Sequence, residues 1–220
     1  MSPLLAILSN DHAGRNAGAV HGLLREPVLV AAYMEAARDA LEATGATVVF
    51  VERGRLAARQ TAANDAGRAW LHEHPAGLVV YVACHVNSFP ASYGAIFHDA
   101  QSTLGAKVGE HVRGVLQEIP ELSRAILRAT PGQSWGNAYN TIKDIYSGPA
   151  RMTGLCFEPY FIDEPSHRPL TTPEGCTHVG QALAAGLLSA AADLGVNDRR
   201  ARVERASRGV AVLAPTRPTA

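Results

Sequence analysis

Leu78-Val79-Val80-Tyr81-Val82 runs without a break into Ala83-Cys84-His85-Val86-Asn87, and the reading of this stretch decides the fold class. It is a short β-branched and aromatic run that follows the breakers Pro75 and Gly77, so it reads as a strand. No polar residue interrupts Leu78–Val82, which is the pattern of a strand covered on both faces. The polar residues that close the stretch, His85 and Asn87, then fall at the carboxyl end of that strand.

Working outward, Thr47–Val51 (TVVFV) reads as a second buried strand. Leu4–Ser9 reads as another, ending in the turn Asn10-Asp11-His12-Ala13-Gly14. A helix is predicted from about Pro27 to Thr44, with proline in the first turn and Gly45 at the stop. The pattern from Arg55 to His74 is helical. Gly94–His98 suggests a strand, and residues from Ser102 to about Leu127 suggest a helix interrupted near Pro120. Leu155–Ile162 (LCFEPYFI) is the last strand, and Thr172 caps a helix that opens on Pro173 and runs to about Leu194. No internal repeat is visible. Strands alternating with long helices predict an α/β fold, a three-layer sandwich in which a mixed, mostly parallel sheet is flanked by helices. Ligands of such sheets bind outside the carboxyl ends of the strands.

The bulk properties set limits. The chain has 220 residues, 47% of them hydrophobic and 18% charged, which suits one well-buried domain. Lys+Arg and Asp+Glu are both 20, so overall charge makes no case for nucleic acid or for a membrane surface. From Asn197 onward six arginines face only Asp198 and Glu204. We therefore divide the chain into a domain over residues 1–196 and a basic tail over 197–220. The tail is expected to be disordered and solvated; the other reading is an electrostatic anchor to an anionic polymer or membrane surface. Cys84, Cys156 and Cys176 are too few and scattered for a disulfide framework. The N-terminal apolar run is too short for a signal peptide core or a membrane span, so a cytoplasmic location with no stable membrane insertion is expected. A monomer is expected.

Four residues carry chemistry. His12 follows the first strand, Glu26 opens the first helix, His85 ends the central strand, and Glu158 lies within the last. Two imidazoles and a carboxylate are a ligand set that leaves catalytic zinc one open position. Each residue also has a plainer reading. His12 can be a loop histidine, Glu26 a first-turn carboxylate complementing the helix dipole, and His85 a satisfied core histidine. Glu158 is costly to bury unless paired with an arginine or functional. A Cys84–His85 nucleophile pair is disfavoured, because adjacent strand residues point to opposite faces. By the same rule Cys156 shares a face with Glu158, and Asn87 with His85.

Taken in order, these segments resemble the zinc-dependent N-acetylmuramoyl-L-alanine amidases, cell-wall hydrolases that include many phage endolysins. Leu8-Ser9-Asn10-Asp11-His12-Ala13-Gly14 is similar to the family's Asp-x-Gly-His-Gly-Gly turn, and Gly18-Ala19 with Glu26 to its helix-opening segment. Arg53 resembles its arginine after the second strand. Leu56-Ala57-Ala58-Arg59-Gln60-Thr61-Ala62-Ala63-Asn64 matches its Leu-x-x-Arg-x-x-x-Ala-Asn helix. Ala83-Cys84-His85-Val86-Asn87 resembles Ser-x-His-x-Asn, Gly94-Ala95-Ile96-Phe97 its Gly-x-x-x-Phe/Tyr segment, and Leu155–Asp163 its closing strand. The likeness covers about residues 4–195. The chain departs from the pattern at Asp11 and Ala13, where the family has glycine, at the serine of the second histidine motif, and at Asp163.

The resemblance implies one zinc ion on His12, Glu26 and His85. It implies peptidoglycan as partner, and cleavage of the amide between the muramic acid lactyl group and L-alanine by an endolysin-type hydrolase. Glu158 would move the proton from water to the leaving amine, with Arg53 and Arg59 supporting the ligands or the fold. Cys156 is expected to line the pocket. Residues 129–152, with Trp135, Asn137, Tyr139, Asn140 and Tyr146, either grip substrate or form a surface insertion. Two other functions fit the same residues: a zinc hydrolase of another acylated amino acid or peptide, and a non-catalytic wall-binding domain.

Overall fold

The computed structural model describes residues 3–12, 18–51, 55–89, 91–130, 142, 145 and 151–211, with backbone alone from 196 onward. Its centre is a six-stranded sheet. The strands are β1 (Leu4–Asn10), β4 (Thr47–Phe50), β5 (Leu78–Cys84), β6 (Ala95–Asp99), β7 (Ile126–Thr130) and β8 (Met152–Glu158), in the order β4-β1-β5-β8-β6-β7. A separate hairpin joins β2 (Val20–His21) to β3 (Leu24–Arg25), turning at Gly22 with φ 58°, a left-handed conformation that glycine adopts without a Cβ penalty.

The apolar runs of β1 and β5 follow from their place in the sheet, where every residue of both strands is buried. Alternate side chains enter two cores. Leu4, Ala6, Leu8, Val80, Val82, Cys84 and Phe157 face helices α1 (Glu26–Glu42), α3 (Thr103–Leu116) and α4 (Pro173–Ala211). Leu5, Ile7, Val79, Tyr81, Ala83 and Cys156 pack on the other face, with Ala63 and Leu71 of α2 (Leu56–Glu73). This is the predicted three-layer α/β sandwich, and its sheet is mixed because β6 runs antiparallel to β8.

Register decides where polar groups collect. β1, β5 and β8 are parallel, with Asn10 opposite Cys84 and Cys84 opposite Phe157. Their carboxyl ends therefore stop on one line, and the next residues of each chain segment, Asp11, His85 and Glu158, emerge at one rim.

Several boundaries differ from the sequence reading. The helix expected to continue to Leu127 ends at Leu116, and a 3-10 turn over Pro120–Leu122 leads into strand β7. β7 is a half-exposed edge strand, and its state is set by pairing with β6 rather than by local propensity. β8 starts earlier than expected and stops at Glu158, before Pro159, which has no N–H for a ladder. The last helix extends past the expected end near Leu194 to Ala211. Residues 197–211 hold five arginines and three alanines and no proline, a composition that favours helix. Among the described residues no helix is long and apolar enough to cross a membrane.

α1 and α4 meet without side chains between them at one point. A Cβ on Gly180 would lie 2.3 Å from the Tyr33 carbonyl oxygen and 2.8 Å from Ala37 N. Gly180→Leu is expected to lower unfolding free energy by about 1–3 kcal/mol through overpacking, measured by urea denaturation. Unchanged stability would show that the helices do not approach this closely.

Candidate metal centre

The rim is built from backbone upward. Asn10, 2% exposed at the end of β1, donates from Nδ2 to the Pro27 carbonyl (2.9 Å) and accepts from the His12 amide (3.3 Å). One side chain thus ties the exit of β1 to the start of α1 and directs His12. On the other side, His85 N donates to the Phe157 carbonyl at 2.9 Å, and Tyr33 Oη donates to the His85 carbonyl at 3.0 Å. The backbone that carries His85 is held by both β8 and α1.

Glu26 sits between them, 3% exposed. Oε2 accepts from the Ala19 amide at 2.6 Å and Oε1 from the Val86 amide at 2.9 Å. The Glu26 amide returns a bond to the Ala19 carbonyl at 2.9 Å. This close return needs Gly18, where φ is 59° and a Cβ would lie 2.6 Å from Glu26 Oε2 and 2.9 Å from His12 Cγ. Burial pushes the Glu26 carboxyl pKa up, but His85, the two amides and His12 outweigh it and hold it below the ordinary value.

Both histidines converge on one oxygen of that carboxylate. His85 Nδ1 is 3.3 Å and His12 Nε2 3.5 Å from Glu26 Oε1. The rings meet edge to face, with centroids 5.1 Å apart. One ligand atom from each of His12, Glu26 and His85 lies within 4.8 Å of the others. Two imidazole nitrogens and one carboxylate oxygen this close suit a divalent cation of zinc type. For His85, burial alone would lower the pKa, but Asp11 and Glu26 raise it to about 10. Negative charge is thus concentrated where a cation would sit, and metal binding there displaces a proton.

Glu158, at the end of β8, accepts a hydrogen bond from Asn87 Nδ2 and lies 3.9 Å from Cys156 Sγ. Burial raises its pKa; the charge of Glu26 adds to this and that of His85 opposes it. No arginine among the described residues pairs with it, so the plain reading of Glu158 as half of a buried ion pair has no partner among them. Cys156 borders Glu158 as its alternation predicted. Cys84 lies in the core on the opposite face, against Tyr33 and Phe157, and burial keeps its thiol protonated; it is no partner for His85.

Arg59 of α2 reaches the rim from the second core. It is 7% exposed, and its guanidinium donates to the Asp11 carbonyl at 3.1 Å and lies 3.4 Å from Asp11 Oδ1. Asp11 itself was read from sequence only as a departure from a turn pattern. Its signal was available: a carboxylate directly after a fully apolar strand needs a partner. Arg53, Trp135, Asn137, Tyr139, Asn140 and Tyr146 lie outside the described residues.

Solved structures share this architecture. Cwp6 from Clostridium difficile superposes with a TM-score of 0.67 at 17% identity, over 86% of this chain and 29% of that one. The N-acetylmuramoyl-L-alanine amidase from Clostridium difficile 630 gives 0.65 at 15% identity, over 86% of this chain and 97% of that one. The N-acetylmuramoyl-L-alanine amidase AmiC2 of Nostoc punctiforme gives 0.62 at 18% identity, over 84% and 96%. The chain has the fold of the N-acetylmuramoyl-L-alanine amidases. It spans under a third of Cwp6 but nearly the full length of the other two. No family model and no curated protein matches it by sequence.

The Arg59–Asp11 contact is buried on both sides, at 8% and 7% side-chain exposure. Removing one partner of such a pair leaves an uncompensated charge, so Arg59→Met is expected to cost about 3 kcal/mol in chemical denaturation. A variant as stable as the parent would remove Arg59 from the support of the rim.

Proposed function

We propose that the chain is a zinc-dependent N-acetylmuramoyl-L-alanine amidase that cleaves the amide between the lactyl group of muramic acid and L-alanine in peptidoglycan. The observation that carries this reading is the convergence of His12, Glu26 and His85 at the rim that Glu158 also occupies, in a fold shared with amidases of that name. His12 Nε2, His85 Nδ1 and a Glu26 oxygen would hold the ion. A zinc ion bound there supplies a Lewis acid that acidifies water and polarises an amide carbonyl.

The chain's own groups do the rest. The Ala19 and Val86 amides fix Glu26, and the bonds to Phe157 and Tyr33 fix the backbone of His85, so the ligands are set before any substrate arrives. Glu158 takes a proton from the attacking water and passes it to the leaving amine nitrogen. Its raised pKa suits the first half of that task, since a carboxylate that binds a proton weakly is a poor base. Asn87 holds Oε2 of Glu158, and Oε1, beside Cys156 Sγ, is the oxygen that would take the proton. The lysin-type role, with release from the cytoplasm at lysis, belongs to the same proposal and rests on the family resemblance. A wall-binding module without catalysis would not need a half-buried Glu158 with a raised pKa beside three ligand atoms.

Glu158→Gln is expected to keep zinc and to lower the release of new L-alanine amino termini from purified peptidoglycan by about 100-fold or more. Removing zinc with a chelator should abolish the same release, and added zinc should restore it. Full activity of the glutamine variant would take Glu158 out of the mechanism. Turnover of simple acylated amino acids with no attack on muramoyl peptides would favour the hydrolase of another amide.

A further inference from the structure

The rim contains a second carboxylate that the reaction above does not use. Asp11 stands directly before His12, at a position where the turn it resembles carries glycine, so its side chain is a feature of this chain. The histidine it faces is the other one. His85 Nδ1 approaches Glu26 Oε1 at 3.3 Å, within the ligand cluster, while His85 Nε2 turns away from the cluster and lies 3.5 Å from Asp11 Oδ2. Nε2 is buried and makes no closer hydrogen bond.

Asp11 is itself held in place. Oδ1 accepts from Ser9 Oγ at 2.7 Å and faces Arg59 at 3.4 Å, and the Asp11 carbonyl accepts from Arg59 at 3.1 Å. These contacts hold one carboxylate oxygen and the backbone, and Oδ2 faces the imidazole, 3.5 Å from its Nε2. A buried carboxylate aimed at the outward nitrogen of a metal-ligating histidine fixes which nitrogen keeps its proton and how the ring is turned.

We propose that Asp11 is a positioning residue of the metal centre: it accepts a hydrogen bond from the Nε2–H of His85, so that the proton stays on Nε2 and His85 binds the metal through Nδ1, and Ser9 and Arg59 hold Asp11 for that purpose. His12, by contrast, presents Nε2 to the cluster, so the two histidines use different ring nitrogens. This inference rests on the metal-centre reading and assigns the partner that orients one of its ligands.

The direct test loads 15N-histidine-labelled full-length protein with cadmium-113 and reads which ring nitrogens couple to the metal. Coupling of His85 through Nδ1, with a proton on Nε2, is expected. In parallel, zinc affinity is measured by chelator competition. Asp11→Ala is expected to weaken it by about 10–100-fold, and Asp11→Asn by less, since the amide oxygen still accepts the Nε2 proton. Coupling of His85 through Nε2 overturns the proposal, as does an Asp11→Ala protein that binds zinc as tightly as the parent. If Asp11→Ala does not fold, the coupling pattern of the unaltered protein decides alone. A parent protein that binds neither metal overturns the metal-centre reading itself, an outcome distinct from coordination through the wrong nitrogen.

Discussion

The buried carboxylate of Glu26 is the constraint on which the site depends. Taking an ionised carboxylate out of water is costly unless hydrogen bonds and opposite charge offset it. Here two backbone amides from distant parts of the chain do so, Ala19 before the hairpin and Val86 after the central strand. Those bonds connect the loop that follows β1, the first turn of α1 and the end of β5. The residue that binds metal by our reading is also the one that closes the sheet rim around the helix. Loss of the Glu26 side chain would leave both amides without their acceptor, so ligand geometry and local structure fail together.

The same division between rim and core runs through the molecule. Side chains that alternate along β1, β5 and β8 fill two separate apolar cores, and polar chemistry begins where those strands end in register. The central layer is rigid because both its faces are packed, and rigid strand ends place ligands more accurately than free loops do. The cysteines belong to this scaffold: all three are buried, with Cys84 in one core and Cys156 in the other.

What could be read from sequence followed the strength of local signals. The continuous apolar runs of β1 and β5 and the Leu155–Phe157 end of β8 need no tertiary information, and His85 and Glu158 stood out because each is a polar group against such a run. Glu26 had no local signal of that kind. Its position just before Pro27 suits an ordinary first helical turn, and only the order of motifs singled it out. β7 was hidden because an edge strand takes its state from its neighbour, and the β2–β3 hairpin because its strands are two residues each. Asp11 was passed over for a related reason. Its role depends on His85 and Arg59, far away in sequence, and a spacing pattern built on His12 treated it only as a mismatch.

The central claim is that His12, Glu26 and His85 form one metal centre. Elemental analysis of the purified protein beside its His12→Ala, Glu26→Ala and His85→Ala variants tests it most directly. One zinc per parent chain, lost from each variant while the folded far-ultraviolet spectrum persists in at least one of them, is the predicted result. A parent chain without stoichiometric metal after zinc loading, or a His85→Ala protein that retains its full zinc content, would contradict the account.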